Sequence, residues 1–241
     1  MHAPVGPFPD LRRNFSVILH APASWAWVLA AIAVQLIVEV SGGTGALGWW
    51  FETFGLSRNG FLAGKIWQIF SYGMLHGGWW HVVLNALLVL LIGARIEHVA
   101  GSAVMVKCMV AGILAGGLSH LLLGTGLLVG LSGGCLALLL MLTTLSPQSR
   151  MFPFPLSGRN LGAGILLAAL LLALINPAAG VPGFAALGRM LTDHGMGSWF
   201  EIGHACHLGG GIAGWLHGRW ILRPRATLAR LRSDRAKREL S

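Results

Sequence analysis

Gly130-Leu131-Ser132-Gly133-Gly134 is a small polar cluster that opens a long apolar run, Cys135 to Leu145, in which no side chain carries a charge. A hydroxyl at the head of such a run needs a reason, because an unpaired polar group in hydrocarbon costs several kcal/mol and intramembrane polar residues are usually hydrogen-bonded inside a bundle or functional. Glycines on both sides let other backbones, or a substrate, approach the Ser132 hydroxyl closely. A nucleophilic hydroxyl needs a base and oxyanion donors within hydrogen-bond reach. The rest of the chain must supply them.

The chain has 241 residues, 55% of them hydrophobic and 10% charged, with a mean hydropathy of +0.70. That is too apolar for an ordinary soluble domain and fits an all-α, multi-pass membrane protein with one membrane domain. The first apolar segment follows a stretch with Asp10, Arg12 and Arg13 and no small-residue cleavage site clearly follows it, which reads as an uncleaved first helix rather than a signal peptide. Cys108, Cys135 and Cys206 all lie in apolar segments, and their odd number and spacing fit neither a disulfide framework nor a zinc ribbon. The net charge of +9 sits mostly in one tail beside a membrane helix. This makes anionic lipid, not nucleic acid, the expected partner of the tail.

Six spans are expected, at about 25–40, 79–94, 103–123, 128–145, 161–175 and 202–222. They divide the chain into a cytoplasmic N-terminal segment (1–24), a six-helix membrane domain (25–222) and a basic cytoplasmic tail (223–241). Between the first two spans, Thr44 to Gly78 is rich in Trp and Phe, as suits a bilayer interface. Pro177 to Phe200 reads as a glycine-rich loop. The last span carries Gly210, Gly214 and Gly218 at four-residue spacing, a face on which a neighbouring helix can pack backbone to backbone. Glu97 and Arg95 are expected to cap the cytoplasmic end of the second span and pair with a neighbour.

Of the 17 Lys and Arg, only Arg58, Lys65 and Arg189 fall on one side of these spans. The positive-inside rule then places both termini in the cytoplasm. Spans two, four and six enter from the outer face, and His81, Asn85, Ser132, His204 and His207 all lie near their outer ends. The orientation used no chemistry, so the shared depth points independently to one site.

Each of these residues has a plainer reading. His81 and Asn85, four apart on one helical face, could hold an oxyanion or serve as interhelical glue. His207 could be the base for Ser132 or a structural histidine, and His204, one turn earlier, is a rival base or a rim residue. His76 could donate to the site or merely sit at the interface. Cys135 and Cys206 read most simply as small packing residues.

Taken together, Gly130-x-Ser132-Gly133, His207-Leu208-Gly209-Gly210 followed by Gly214, His76-(x4)-His81-(x3)-Asn85 and Gly93-(x3)-Glu97 resemble the rhomboid family of intramembrane serine proteases, over about Trp67 to Trp220. The resemblance implies a six-helix core, a Ser-His dyad without an aspartate, an outward-opening water-filled cavity, and cleavage of single-span, membrane-anchored substrates near the outer end of their transmembrane segment. It assigns Ser132 as nucleophile and His207 as base. His81, Asn85 and the Ser132 N–H line the oxyanion hole, with the Leu131 N–H a further donor. No cofactor or metal is called for. Where family members usually have Trp-Arg this chain has Trp67-Gln68, a departure that bears on the polar anchoring of the first loop and not on the chemistry.

Other classes fit less well. Glu201-Ile202-Gly203-His204-Ala205-Cys206-His207 does not have the His-Glu-x-x-His order of a metalloprotease, and Asp193 lies in a loop, not in the paired intramembrane arrangement of an aspartyl protease. The polar groups of a transporter would line a path instead of clustering at one end. A weak or inactive rhomboid-like protein that binds membrane clients is the remaining alternative. The compact core suggests a prokaryotic inner membrane.

Overall fold

Pro22 occupies the first turn of the first long helix, where its missing N–H costs nothing. The computed structural model describes residues 16–151, 155–223, 232, 235 and 237–239, with side chains left aside at 43–47. Residues 1–15 of the N-terminal segment and most of the basic tail fall outside them. Eight helices matter here: α1 (Pro22–Val40), α2 (Gly43–Phe54), α3 (Trp79–Ala100), α4 (Ser102–Leu123), α5 (Ser132–Leu145), α6 (Gly158–Ile175), α7 (Phe184–Leu191) and α8 (His204–Ile221). The fold is an all-α membrane bundle in which α1, α3, α4 and α6 are long and apolar enough to cross a bilayer. Large apolar side chains such as Leu29, Leu36, Leu84, Leu118, Leu167 and Leu216 point outward, as lipid contact requires.

The two remaining long helices depart from an ordinary span, each for a reason tied to the site. α5 has only 14 residues, about 21 Å at 1.5 Å per residue against a hydrocarbon core of about 30 Å. It is buried nearly all round, through Gly133, Gly134, Cys135, Ala137, Leu138, Leu140, Met141 and Thr143, so it forms the centre of the bundle. α8 is rich in glycine and histidine and packs most extensively against α5 and α4. A side-chain carbon on Gly210 would run into the Gly133 carbonyl, and one on Gly214 into that of Ala137. One on Gly218 would lie 2.9 Å from Thr144 Cβ. The glycine face therefore seats α8 backbone to backbone on α5.

Several boundaries differ from the sequence reading. The fourth helix starts at Ser132 instead of Leu128, because the chain before it is extended and pinned. Leu56 and Leu128 exchange backbone hydrogen bonds of 3.0 and 2.8 Å, and Gly130 N–H donates to the Tyr72 carbonyl at 2.9 Å. The second helix runs on past Ala94 to Ala100 through a widened π turn at Val89–Gly93. The expected loop at 177–200 contains α7, an amphipathic helix whose Ala185 and Gly188 are buried, with Gly188 seated against the Ile175 carbonyl and Pro177.

Glu97 is buried and pairs with a different helix from its own. Its carboxylate accepts from Ala23 N–H, Ser24 N–H and Ser24 Oγ, each at 2.9 Å, and from Ser102 Oγ at 2.8 Å. The carboxylate thus satisfies free N–H groups in the first turn of α1, where the helix dipole also favours negative charge. Arg95, expected to share this task, is exposed.

The Trp67-Gln68 departure has a structural answer. Gln68 is fully buried, and its Nε2 donates to the Glu52 carbonyl at 3.0 Å while Trp67 Nε1 donates to that of Thr53 at 2.9 Å. A neutral amide therefore anchors the first loop to the end of α2. Gly60 leaves room for it, since a side-chain carbon there would come within 2.5 Å of Gln68 Oε1.

Candidate active site

Ser132 is the first residue of α5, and the first intrahelical bond is Cys135 N–H to the Leu131 carbonyl at 3.0 Å. The N–H groups of the first turn consequently have no helical acceptor, and the positive end of the helix dipole surrounds the Ser132 hydroxyl. The approach to this turn depends on Gly130. Its φ is +111°, a left-handed value that disfavours side chains, and a side-chain carbon would also come within 2.5 Å of His81 Cε1. The imidazole of His81, from the first turn of α3, thus lies directly over the strand-like entry to the serine.

His207 comes from the first turn of α8, which the glycine face locks to α5. Ser132, His207, His81, Asn85 and His204 all line one cavity of about 540 Å³, closed on other sides by Leu128, Leu136, Asn176 and Glu201. The structure therefore brings together the five polar residues that the sequence puts at a common depth. Ser132 and His207 make no hydrogen bond to each other among the described residues. His204 Nε2 lies 2.8 Å from the Trp199 carbonyl, to which a ring N–H must donate. That bond ties His204 to the loop before α8. The His204 and His207 rings meet edge to face, 6.0 Å between centroids.

His76 and Leu131 stand behind this wall and not in it. The Leu131 N–H donates to His76 Nε2 at 3.4 Å, and the His76 ring packs edge to face on His81 at 5.0 Å. Burial, with His81 beside it, pushes the His76 imidazole down to about 4. Because the Leu131 N–H donates to it, Nε2 is the lone-pair nitrogen of the neutral ring, and that N–H is already engaged. Residues 63–224 match the Rhomboid domain, two-thirds of the chain and all of the site.

The chain belongs to the rhomboid family. It is similar to the rhomboid-like protein 16, chloroplastic, of Arabidopsis thaliana, 35% identical over 68 residues that make up 28% of this chain and 21% of that one. It is also similar to the rhomboid-related protein 3 of Homo sapiens, 37% identical over 78 residues, 32% of this chain and 19% of that one. The match thus spans about a fifth of each relative.

In this rhomboid, two site features escaped the sequence reading. Tyr72, the chain's single tyrosine, is fully buried, and its hydroxyl donates to the Ile113 carbonyl at 2.6 Å and meets Cys206 Sγ at 3.5 Å. Its backbone carbonyl holds Gly130, so Tyr72 fixes the serine's approach from below. His120, near the end of α4, also lines the cavity, with Nε2 3.3 Å from the Gly126 carbonyl and Nδ1 without a partner among the described residues. Its sequence signal is a lone ionisable residue in the apolar run Ile113 to Leu123.

Proposed function

We propose that this rhomboid is an intramembrane serine protease that cleaves single-span, membrane-anchored proteins near the outer end of their transmembrane segment. The observation that carries this reading is the placement of Ser132 and His207 on one cavity, at the starts of two helices seated on each other through glycine. His207 removes the proton from Ser132 Oγ as it attacks the scissile carbonyl, then delivers it to the leaving amine. Water, activated by the same imidazole, hydrolyses the acyl-enzyme. The oxyanion is met by the Ser132 N–H at the positive end of α5, by the Asn85 amide and by His81, each such donor contributing on the order of a hundredfold in rate. Hydrogen bonds between nucleophile and base are often long before substrate binds, so the open dyad is compatible with this chemistry. The short length of α5 supports the reading too: a helix of about 21 Å cannot cross a hydrocarbon core of about 30 Å, and a serine at a recessed end would need a cavity to bring it water.

Both termini are proposed to be cytoplasmic, on the charge distribution, and the membrane to be a prokaryotic inner membrane, on the compactness of the core; the two relatives are eukaryotic. The basic tail is proposed to rest on anionic lipid.

The open dyad also suits a second reading, an inactive rhomboid-like protein that binds membrane clients. Labelling with a fluorophosphonate in detergent separates the two. The protease reading expects covalent modification that disappears in both Ser132→Ala and His207→Ala. A folded wild-type protein that neither labels nor cleaves any single-span substrate would establish the second reading.

A further inference from the structure

Asn85 is 3% exposed, it lines the cavity, and its Nδ2 has no hydrogen-bond partner among the described residues. A buried amide N–H left without an acceptor is costly, so it calls for an explanation. The other end of the same carboxamide is engaged. The thiol of Cys135, 1% exposed and three residues after Ser132 on α5, lies 3.6 Å from Asn85 Oδ1 and 3.7 Å from the Asn85 backbone carbonyl.

We infer that Cys135 is a positioning residue for the proposed reaction: its S–H holds the carboxamide oxygen of Asn85, so that it is the amide N–H, and not the oxygen, that is left without a partner for the oxyanion to meet. This rests on the serine-protease reading. A carboxamide has an acceptor at one end and a donor at the other, so fixing one end fixes both. A thiol donates a hydrogen bond but accepts only weakly. It therefore favours the oxygen facing the sulfur. The flipped amide would place an oxygen lone pair where negative charge develops, opposing catalysis instead of assisting it. Cys135 touches no reacting atom and acts only through Asn85.

The test has a kinetic and a spectroscopic arm. For a permissive single-span substrate, Cys135→Ala should lower kcat about fivefold to tenfold, the worth of one modest hydrogen bond, with KM unchanged. Cys135→Ser, which keeps a donor, should stay within about twofold of wild type. In the Asn85→Ala background, Cys135→Ala should cause no further loss of kcat. An unchanged kcat in Cys135→Ala, a Ser variant as impaired as the Ala variant, or an equal loss in both backgrounds would overturn the inference. The second arm needs no activity: the S–H stretching band of Cys135, isolated as the infrared difference between wild type and Cys135→Ser, should shift in Asn85→Ala. A band that does not move means the thiol bonds only to the backbone carbonyl, and the inference fails. If the wild-type enzyme is inert while the band shifts, the contact stands and the protease reading is the part that has failed.

Discussion

The two ends of the bundle treat buried polar groups in opposite ways. At one end the Glu97 carboxylate is surrounded by donors from Ala23, Ser24 and Ser102. At the other end the Nδ1 atoms of His76 and His120 and the Nδ2 of Asn85 are buried without partners among the described residues, on the side of the bundle where Ser132 lies. Both arrangements carry a desolvation cost, but only the first offsets it with hydrogen bonds inside the protein. The satisfied cluster has the character of a structural clasp. The unsatisfied one leaves that cost uncompensated beside Ser132.

The sharpest way to break this contrast is at the dyad. Ser132→Ala and His207→Ala are each expected to abolish detectable cleavage while leaving the melting temperature in detergent close to wild type. Residual cleavage by Ser132→Ala above a no-enzyme control would remove the serine from the mechanism. Asn85→Ala comes next, with kcat lowered by about two orders of magnitude and KM little changed. A preserved kcat with a lowered melting temperature would instead class Asn85 with Glu97, as glue.

Glu97→Ala should show the reverse pattern. It leaves the first-turn N–H groups of α1 and two hydroxyls without their acceptor, so stability should fall by roughly 2–4 kcal/mol while turnover per folded molecule is retained. A stable variant with impaired kcat would mean that the two ends are coupled. Gly214→Leu tests the joint between them. The Ala137 backbone occupies the space the side chain would need, so both melting temperature and activity should drop, the latter because His207 shifts relative to Ser132. If neither changes, α8 is not held by its glycine face. The smallest effect is expected for His204→Ala, less than about tenfold in kcat, well short of the roughly 10²–10⁴ that a general base supplies. A dead His204→Ala beside an active His207→Ala would exchange their roles.

The amino-acid sequence by itself determined the class of the molecule and picked out five polar residues that line one cavity. Long apolar runs can only be helices in lipid, because the backbone must satisfy its own hydrogen bonds there, so the membrane fold follows from local composition. The glycine face of α8 was legible for a similar reason, as a four-residue spacing maps directly onto one side of a helix. Polar residues inside apolar runs stand out wherever they occur, and those at 81, 85, 132, 204 and 207 could be placed at one depth by counting along the spans.

What the tertiary structure decided are the partnerships between distant segments. Glu97 reaches across 73 residues to Ser24. Gln68 takes over the anchoring of the first loop through carbonyls of Glu52 and Thr53. His204 is bound to the Trp199 carbonyl, which distinguishes it from His207 although both lie in the first turn of one helix. α7 escaped because glycine and proline around it signal a loop, and only its packing against the end of α6 gives its short apolar face something to bury. The thiol of Cys135 meets Asn85 from a helix 50 residues away. Neither propensity nor periodicity carries information about such pairings; they arise when glycine-lined helices close to backbone contact and bring polar atoms from distant segments within reach of one another.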